Sequence, residues 1–195
     1  MSDINLFGLF IASVFTSNIL LANFLGMCSF IAISKDIKSA NGLGMAVTFV
    51  LVITTAVNWG ILEVLKMLDL TYLSFIVFII VIAAVVQMLE MIIDRVSPAL
   101  YMSLGIYLPL ITVNCAILGA ALFMQIRDYN FPQTLVFGLG SGLGWWLAIV
   151  ALAAIRGKIE KAPIPQGLQG AGITLITIGF MAMAFTGFSG MIAVQ

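Results

Sequence analysis

Sixteen charged positions divide the chain into six uncharged, mostly apolar stretches: residues 4–34, 39–62, 70–89, 96–126, 129–155 and 162–195. Their lengths are 31, 24, 20, 31, 27 and 34 residues, and each covers the roughly 20 residues a helix needs to cross the hydrocarbon of a bilayer. The pattern predicts an all-α integral membrane protein of six transmembrane helices in a single domain over residues 1–195, with no soluble module. Membrane-spanning strands would show alternating segments of about 10 residues, which are absent here. Asp3 and no basic residue stand ahead of the first stretch, which argues against a cleaved signal peptide.

Composition agrees with that class and narrows the chemistry. The chain is 63% hydrophobic and its mean hydropathy is +1.21, outside the range of a soluble globular domain. Eight basic and eight acidic residues cancel, which excludes a basic surface for nucleic acid as a main theme. Histidine is absent, so the commonest metal ligand and the usual general base are missing. Thiolates or carboxylates would have to hold any metal.

The basic residues also orient the spans. Lys35, Lys38, Arg95, Arg156, Lys158 and Lys161 fall in loops 1, 3 and 5, against Lys66 and Arg127 in loops 2 and 4. Six against two predicts loops 1, 3 and 5 in the cytoplasm and both termini outside.

Each half of the chain, residues 1–97 and 98–195, holds three stretches, opens with one of 31 residues and carries one cysteine there, Cys28 or Cys115, 87 positions apart. Because three is odd, the second half enters the membrane from the opposite face. That is the architecture of a 3+3 inverted repeat, in which discontinuous helices meet near the midplane. With the cysteines aligned, Ile19 matches Ile106 and Leu21 matches Leu108, so the symmetry rests on architecture more than on residue identity. Both opening stretches contain helix breakers: Asn18, Asn23 and Gly26 before Cys28, and Gly105, Pro109 and Asn114 before Cys115. Proline removes a backbone donor and obstructs the preceding turn, so the first and fourth spans are expected as half-helices. Irregular backbone at that depth persists only when buried in protein or lining a cavity. Its freed amides are then available to an anionic centre.

The two thiols allow several readings. Free cysteine commonly behaves as a small buried hydrophobe. A disulfide does not suit a core made in the reducing cytoplasm. Zinc asks for four ligands and an iron-sulfur cluster for four thiolates, so a metal centre here would need its other half from a second chain. Gly138, Gly140, Gly142 and Gly144 lack the Lys-Ser/Thr of a phosphate loop and lie in an apolar stretch, where close helix packing explains them. Trp145 and Trp146 fit packing or contacts with a partner chain. Pro163 and Pro165 suit a short connection.

Seven segments, NFLGMCSF, ANGLGMAVTFV, QMLEMIIDR, LGIYLPLITVNCAILG, RDYNFP, GSGLGWWLAIVALAAIR and ITLITIGFMAMAF, span almost the whole chain. Together they resemble the family of membrane subunits shared by the bacterial sodium-translocating NADH:quinone oxidoreductase, Nqr, and the Rnf ferredoxin:NAD oxidoreductase. RDYNFP and GSGLGWWLAIV resemble the Nqr form of that family, whose counterpart in Rnf is the A subunit. The resemblance implies a heterodimer with a homologous protein of opposite topology, the D subunit in Nqr. It implies a [2Fe-2S] cluster near mid-membrane, with Cys28 and Cys115 as two of its four ligands. Negative charge buried in a poor dielectric needs compensating donors, and the amides and side chains around Gly26, Met27, Val113 and Asn114 are expected to supply part of them. The resemblance also implies an inner-membrane location with outward termini, as the basic residues predict. In the implied complex, the F subunit oxidises NADH and the flavin-bearing C and B subunits carry electrons to quinone; the A subunit of Nqr completes the assembly, and turnover exports sodium.

Glu90 lies about one helical turn inside Asp94 and Arg95. It reads either as an interfacial side chain reaching for headgroups or, in a cation-pumping family, as a sodium uptake site. A small inverted-repeat secondary transporter is the rival from another class. It would line a central path with polar and charged side chains, of which this chain offers only a few Asn, Ser and Thr. A structural partner with inert thiols is a third possibility.

Overall fold

The computed structural model describes residues 5–96, 111–159, 163, 165, 167 and 169–188. Every regular element among them is helical. Helix α1 (Leu6–Ile11) continues into a π turn (Ala12–Thr16), and α2 (Met27–Ile33) follows after ten irregular residues. Then come α3 (Ile37–Met67), a 3-10 turn (Thr71–Leu73), α4 (Ser74–Val96), α5 (Cys115–Ile126), α6 (Phe131–Ile159) and α7 (Ala171–Thr186). Gly105 and Pro109, and with them the expected kink before Cys115, lie outside the described residues.

By length and composition, Ile37–Met67, Thr71–Ile92 and Phe131–Ile159 can each cross a membrane; Leu6–Thr16, Cys115–Ile126 and Ala171–Thr186 are shorter apolar helices. Large apolar side chains such as Ile76, Ile80, Phe180 and Met183 stand exposed on α4 and α7, as a surface facing hydrocarbon requires.

Helices α3 and α6 form the central pair and run antiparallel. Small residues set their spacing. A Cβ placed on Gly142 would lie 2.8 Å from Thr48 Cα, and one on Gly138 would lie 2.5 Å from Thr55 Oγ1. Farther along, the Trp59 and Phe131 rings pack with centroids 5.1 Å apart. On its other side α6 receives the first helix: a Cβ on Gly140 would strike Ser13, and one on Gly144 would lie 2.9 Å from the Val14 carbonyl oxygen. The glycines therefore let one helix approach two neighbours closely, the packing role small residues take within membranes.

The ends of the long helices are tied by polar contacts. Asp36 caps α3, accepting from the Ser39 amide and hydroxyl at 3.1 Å each. The amide first and the hydroxyl second hold its carboxyl below the usual carboxylate range. The folded form thus keeps this cap charged until the pH falls below that range. At the far end of α3, Lys66 reaches Asp128, in the turn between α5 and α6, at 2.6 Å. Trp59 Nε1 donates to the Tyr129 carbonyl at 3.0 Å.

In the irregular segment after the π turn, one buried side chain replaces the missing helical bonds. Asn18 Oδ1 accepts from the amides of Leu20 at 3.0 Å and Leu21 at 3.3 Å, while its Nδ2 donates to the carbonyls of Val14 at 2.9 Å and Gly144 at 3.0 Å. Satisfying these groups matters because lipid offers no partner for free amides.

Two glycine substitutions probe the packing of the long helices. Gly142→Val pushes side-chain atoms against the backbone of Thr48, which cannot retreat, and is expected to destabilise the purified protein by about 1–3 kcal/mol. Gly60, also helical, has nothing within 4 Å of the place a Cβ would take; Gly60→Ala is expected to be neutral or to stabilise by up to about 1 kcal/mol. Thermal unfolding in detergent compares the two.

Candidate functional site

The first turns of α2 and α5 meet beside α6, and this brings the two cysteine motifs together. The amide N–H of Gly26, the residue capping α2, donates to Cys115 Sγ at 2.9 Å. Gly26 reaches that position with φ +85°, in the left-handed region, where a residue with a Cβ is strained. Space forbids a side chain as well: a Cβ there would lie 2.7 Å from Trp145 Nε1 and 3.1 Å from both Ala116 Cβ and Asn114 Oδ1.

Asn114 starts α5. Its side chain accepts from the Ala116 amide at 3.1 Å, the bond an N-cap residue makes to an otherwise orphaned donor. Its Nδ2 lies 3.4 Å from Ser29 Oγ, which it donates to, and Ser29 Oγ donates to the Gly26 carbonyl at 3.2 Å. Asn114 is 2% exposed and Ser29 0%, so Gly26, Ser29 and Asn114 form a buried set linked to the partly buried Cys115. Helix α2 is also held from its other end, where Arg156 Nη1 donates to the Ile31 carbonyl at 2.9 Å and to Ser34 Oγ at 2.7 Å. Phe30, fully buried, completes the anchoring.

Both thiols are free. Cys115, the first residue of α5, is partly buried, and Cys28, the second residue of α2, is exposed. The Gly26 amide gives this site one backbone donor directed at sulfur. Thiolates are the form that binds metal. No group of three or more His, Cys, Asp or Glu side chains suited to a metal occurs among the described residues. The thiols, one of them open to the surface, fit half of a four-thiolate site and not a whole one.

Gly26, Asn114 and Cys115, singled out in the sequence, are in direct contact, and Cys28 is two residues from Gly26. Glu90 stands apart on α4, partly buried, and makes no hydrogen bond or ion pair with the described residues. The sequence pattern did not single out Ser29 or Arg156. For Ser29 a signal existed: it adjoins Cys28 as a hydroxyl inside an apolar stretch. Arg156 was legible only as a loop charge.

Residues 6–192 match the family model described as Rnf-Nqr subunit, membrane protein. The chain belongs to the Rnf-Nqr family. Among its Rnf-Nqr relatives, proteins named as the E subunit of Na(+)-translocating NADH-quinone reductase are similar over nearly their full length. The one from Yersinia enterocolitica is 56% identical over 190 residues, covering 94% of this chain and 96% of the relative. That of Nitrosomonas europaea is 52% identical over 201 residues, covering 96% and 98%. That of Neisseria meningitidis serogroup C is 57% identical over 189 residues, covering 94% and 96%. The site described above thus sits in a membrane protein of the Rnf-Nqr family.

Two substitutions separate the cap from the turn. Asn114→Ala removes the α5 cap and is expected to cost about 1 kcal/mol of stability. Gly26→Ala adds left-handed strain of about 1–2 kcal/mol to the collision with Trp145. It should be the more damaging of the two, as unfolding midpoints in denaturant would report.

Proposed function

We propose that this chain serves as the E subunit of a sodium-translocating NADH:quinone oxidoreductase and that Cys28 and Cys115 supply two of the four ligands of an intramembrane [2Fe-2S] cluster shared with the homologous D subunit. The observation that carries this reading is the Gly26 amide pointing at Cys115 Sγ, with Cys28 exposed two residues away. When bound, such a cluster supplies one-electron transfer at membrane depth, between the NADH-oxidising F subunit and the flavin-bearing C and B subunits. The A subunit belongs to the same assembly.

This chain's own residues position the thiols. Gly26 donates to sulfur; Asn114 and Ser29 fix the two helix starts against each other. Burying added negative charge in a poor dielectric is costly unless donors compensate, and the amide at Cys115 is one such donor. Among the described residues the buried polar side chains are Asn, Ser and Thr, none of them charged, which favours an electron-transfer role over a transporter whose central path is lined with charges.

The six-span, 3+3 inverted arrangement belongs to the same proposal, with outward termini and loops 1, 3 and 5 on the cytoplasmic side of the inner membrane. The antiparallel α3–α6 pair supports it, because these are the counterpart long helices of the two halves and inversion requires them to run oppositely. Glu90, partly buried on α4, is the proposed cytoplasmic sodium uptake residue.

Cys115→Ser and Cys28→Ser test the ligand assignment in the purified complex. Each should abolish one [2Fe-2S] paramagnetic resonance signal and lower iron by about two atoms per complex, the content of one such cluster; an intact signal in both variants refutes the assignment. Glu90→Ala should raise the sodium concentration needed for half-maximal turnover by about tenfold, if it removes roughly 1.4 kcal/mol of ion binding. An unchanged sodium titration removes Glu90 from the path.

A further inference from the structure

Buried side-chain atoms without a hydrogen-bond partner are uncommon, because each unmade bond is expensive. Among the described residues five such atoms lie on α3 and α6: Asn58 Nδ2, Asn58 Oδ1, Thr134 Oγ1, Ser141 Oγ and Trp145 Nε1. All four side chains belong to residues that are 0% exposed.

The helix register brings the first two residues together. Thr55 packs against Gly138 and Trp59 against Phe131. Asn58 lies on the same face of α3 as Thr55, and Thr134 lies one turn from both Gly138 and Phe131 on α6. The two unpartnered side chains therefore stand at the same level of the antiparallel pair, at the edge of the seam. On α6, Thr134, Ser141 and Trp145 follow at i, i+7 and i+11, which at about 100° per residue places them within about 40° of one another on one face. The stripe ends at the cysteine site, where Trp145 Nε1 stands against Gly26.

The chemistry of the set selects its ligand. Asn58 Nδ2 and Trp145 Nε1 are donors only, and they repel a bare cation. Asn58 Oδ1 is an acceptor only, and it repels an anion. The hydroxyls can act either way. A molecule that both donates and accepts satisfies all of them, and Asn58 with Thr134 offers three polar atoms, the usual number of partners for a buried water.

We propose that ordered internal water binds along one face of α6, anchored between Asn58 and Thr134 at the edge of the α3–α6 seam and continued past Ser141 to the Trp145 indole beside the cysteines. Hydration there gives the thiol site reorientable dipoles inside an otherwise apolar interior. The site stands on this chain's own side chains, whether or not the thiols hold iron.

Two measurements test it. In a map of the intact complex that resolves water, a peak should lie within about 2.6–3.2 Å of at least two of Asn58 Nδ2, Asn58 Oδ1 and Thr134 Oγ1, in sodium and in potassium buffer alike. An Asn58 amide bonded to protein with no peak overturns the proposal. So does a peak that appears only in sodium with several oxygens at cation-ligand distance. In the complex labelled with 15N-tryptophan, Asn58→Leu and Thr134→Val should each slow deuterium exchange at the Trp145 indole by about tenfold or more. The indoles of Trp59 and Trp146, which donate to the Tyr129 carbonyl and to Asn41 Oδ1, should keep their rates. Equal exchange at Trp145 in wild type and both variants rejects the continuation to the cysteine site, and the wild-type map remains decisive should a variant fail to fold.

Discussion

The obligation to pair every backbone donor and acceptor away from water governs this molecule, and Asn18 is where it is met. Between the π turn and α2 the helix stops, which inside hydrocarbon would leave amides and carbonyls stranded. Asn18 substitutes for the lost ladder with both ends of its side-chain amide: two backbone donors reach its oxygen, and its nitrogen reaches carbonyls on its own segment and on α6. Only because the break is closed in this way can α2 begin afresh at Gly26 and aim its first turn at α5. The connection also carries local strain at Phe24, which takes φ +55°, an angle that costs a bulky aromatic about 1–2 kcal/mol; Gly26, at φ +85°, takes its turn without that cost.

Helix α6 is the second requirement, since nearly everything that positions the cysteines rests on it. Its glycines admit α3 on one side and the first helix on the other, Trp145 fills the space behind Gly26, and Gly144 supplies a carbonyl to Asn18. The helix carries little chemistry of its own. It acts as a ruler against which the two short helices are measured. Aromatic packing of Phe15 against Phe185, with ring centroids 6.4 Å apart, attaches α7 to the same assembly.

Much of this order was legible in the sequence, and the exceptions have physical causes. Charges marked off α3, α4 and α6, yet α3 runs past Glu63 and Lys66 to Met67, and α6 runs through Arg156 and Lys158. Charges bound the length that hydrocarbon can cover, and a helix continues beyond it into a polar environment at no such cost. Gly26 and Asn114 stood out as breakers because their residue types are poor in helix interiors. Their contact across 88 positions, through Ser29 and Cys115, was not visible, because no local pattern encodes which turn meets which. The π turn left no signal either, since Ala12–Thr16 reads as ordinary apolar helix. Trp145 was legible as a packing residue, and it is one. That its indole nitrogen lacks a partner is a property of the neighbours, Gly26 above all.

Arg156 fastens the end of α2 through two neutral oxygens, the Ile31 carbonyl and the Ser34 hydroxyl. Ionic screening acts chiefly between opposite full charges in contact with solvent, and neither acceptor carries one. The fastening accordingly depends little on ionic strength. A protein placed between compartments that differ in salt would keep this half of its thiol-bearing scaffold at one fixed length as that condition swings.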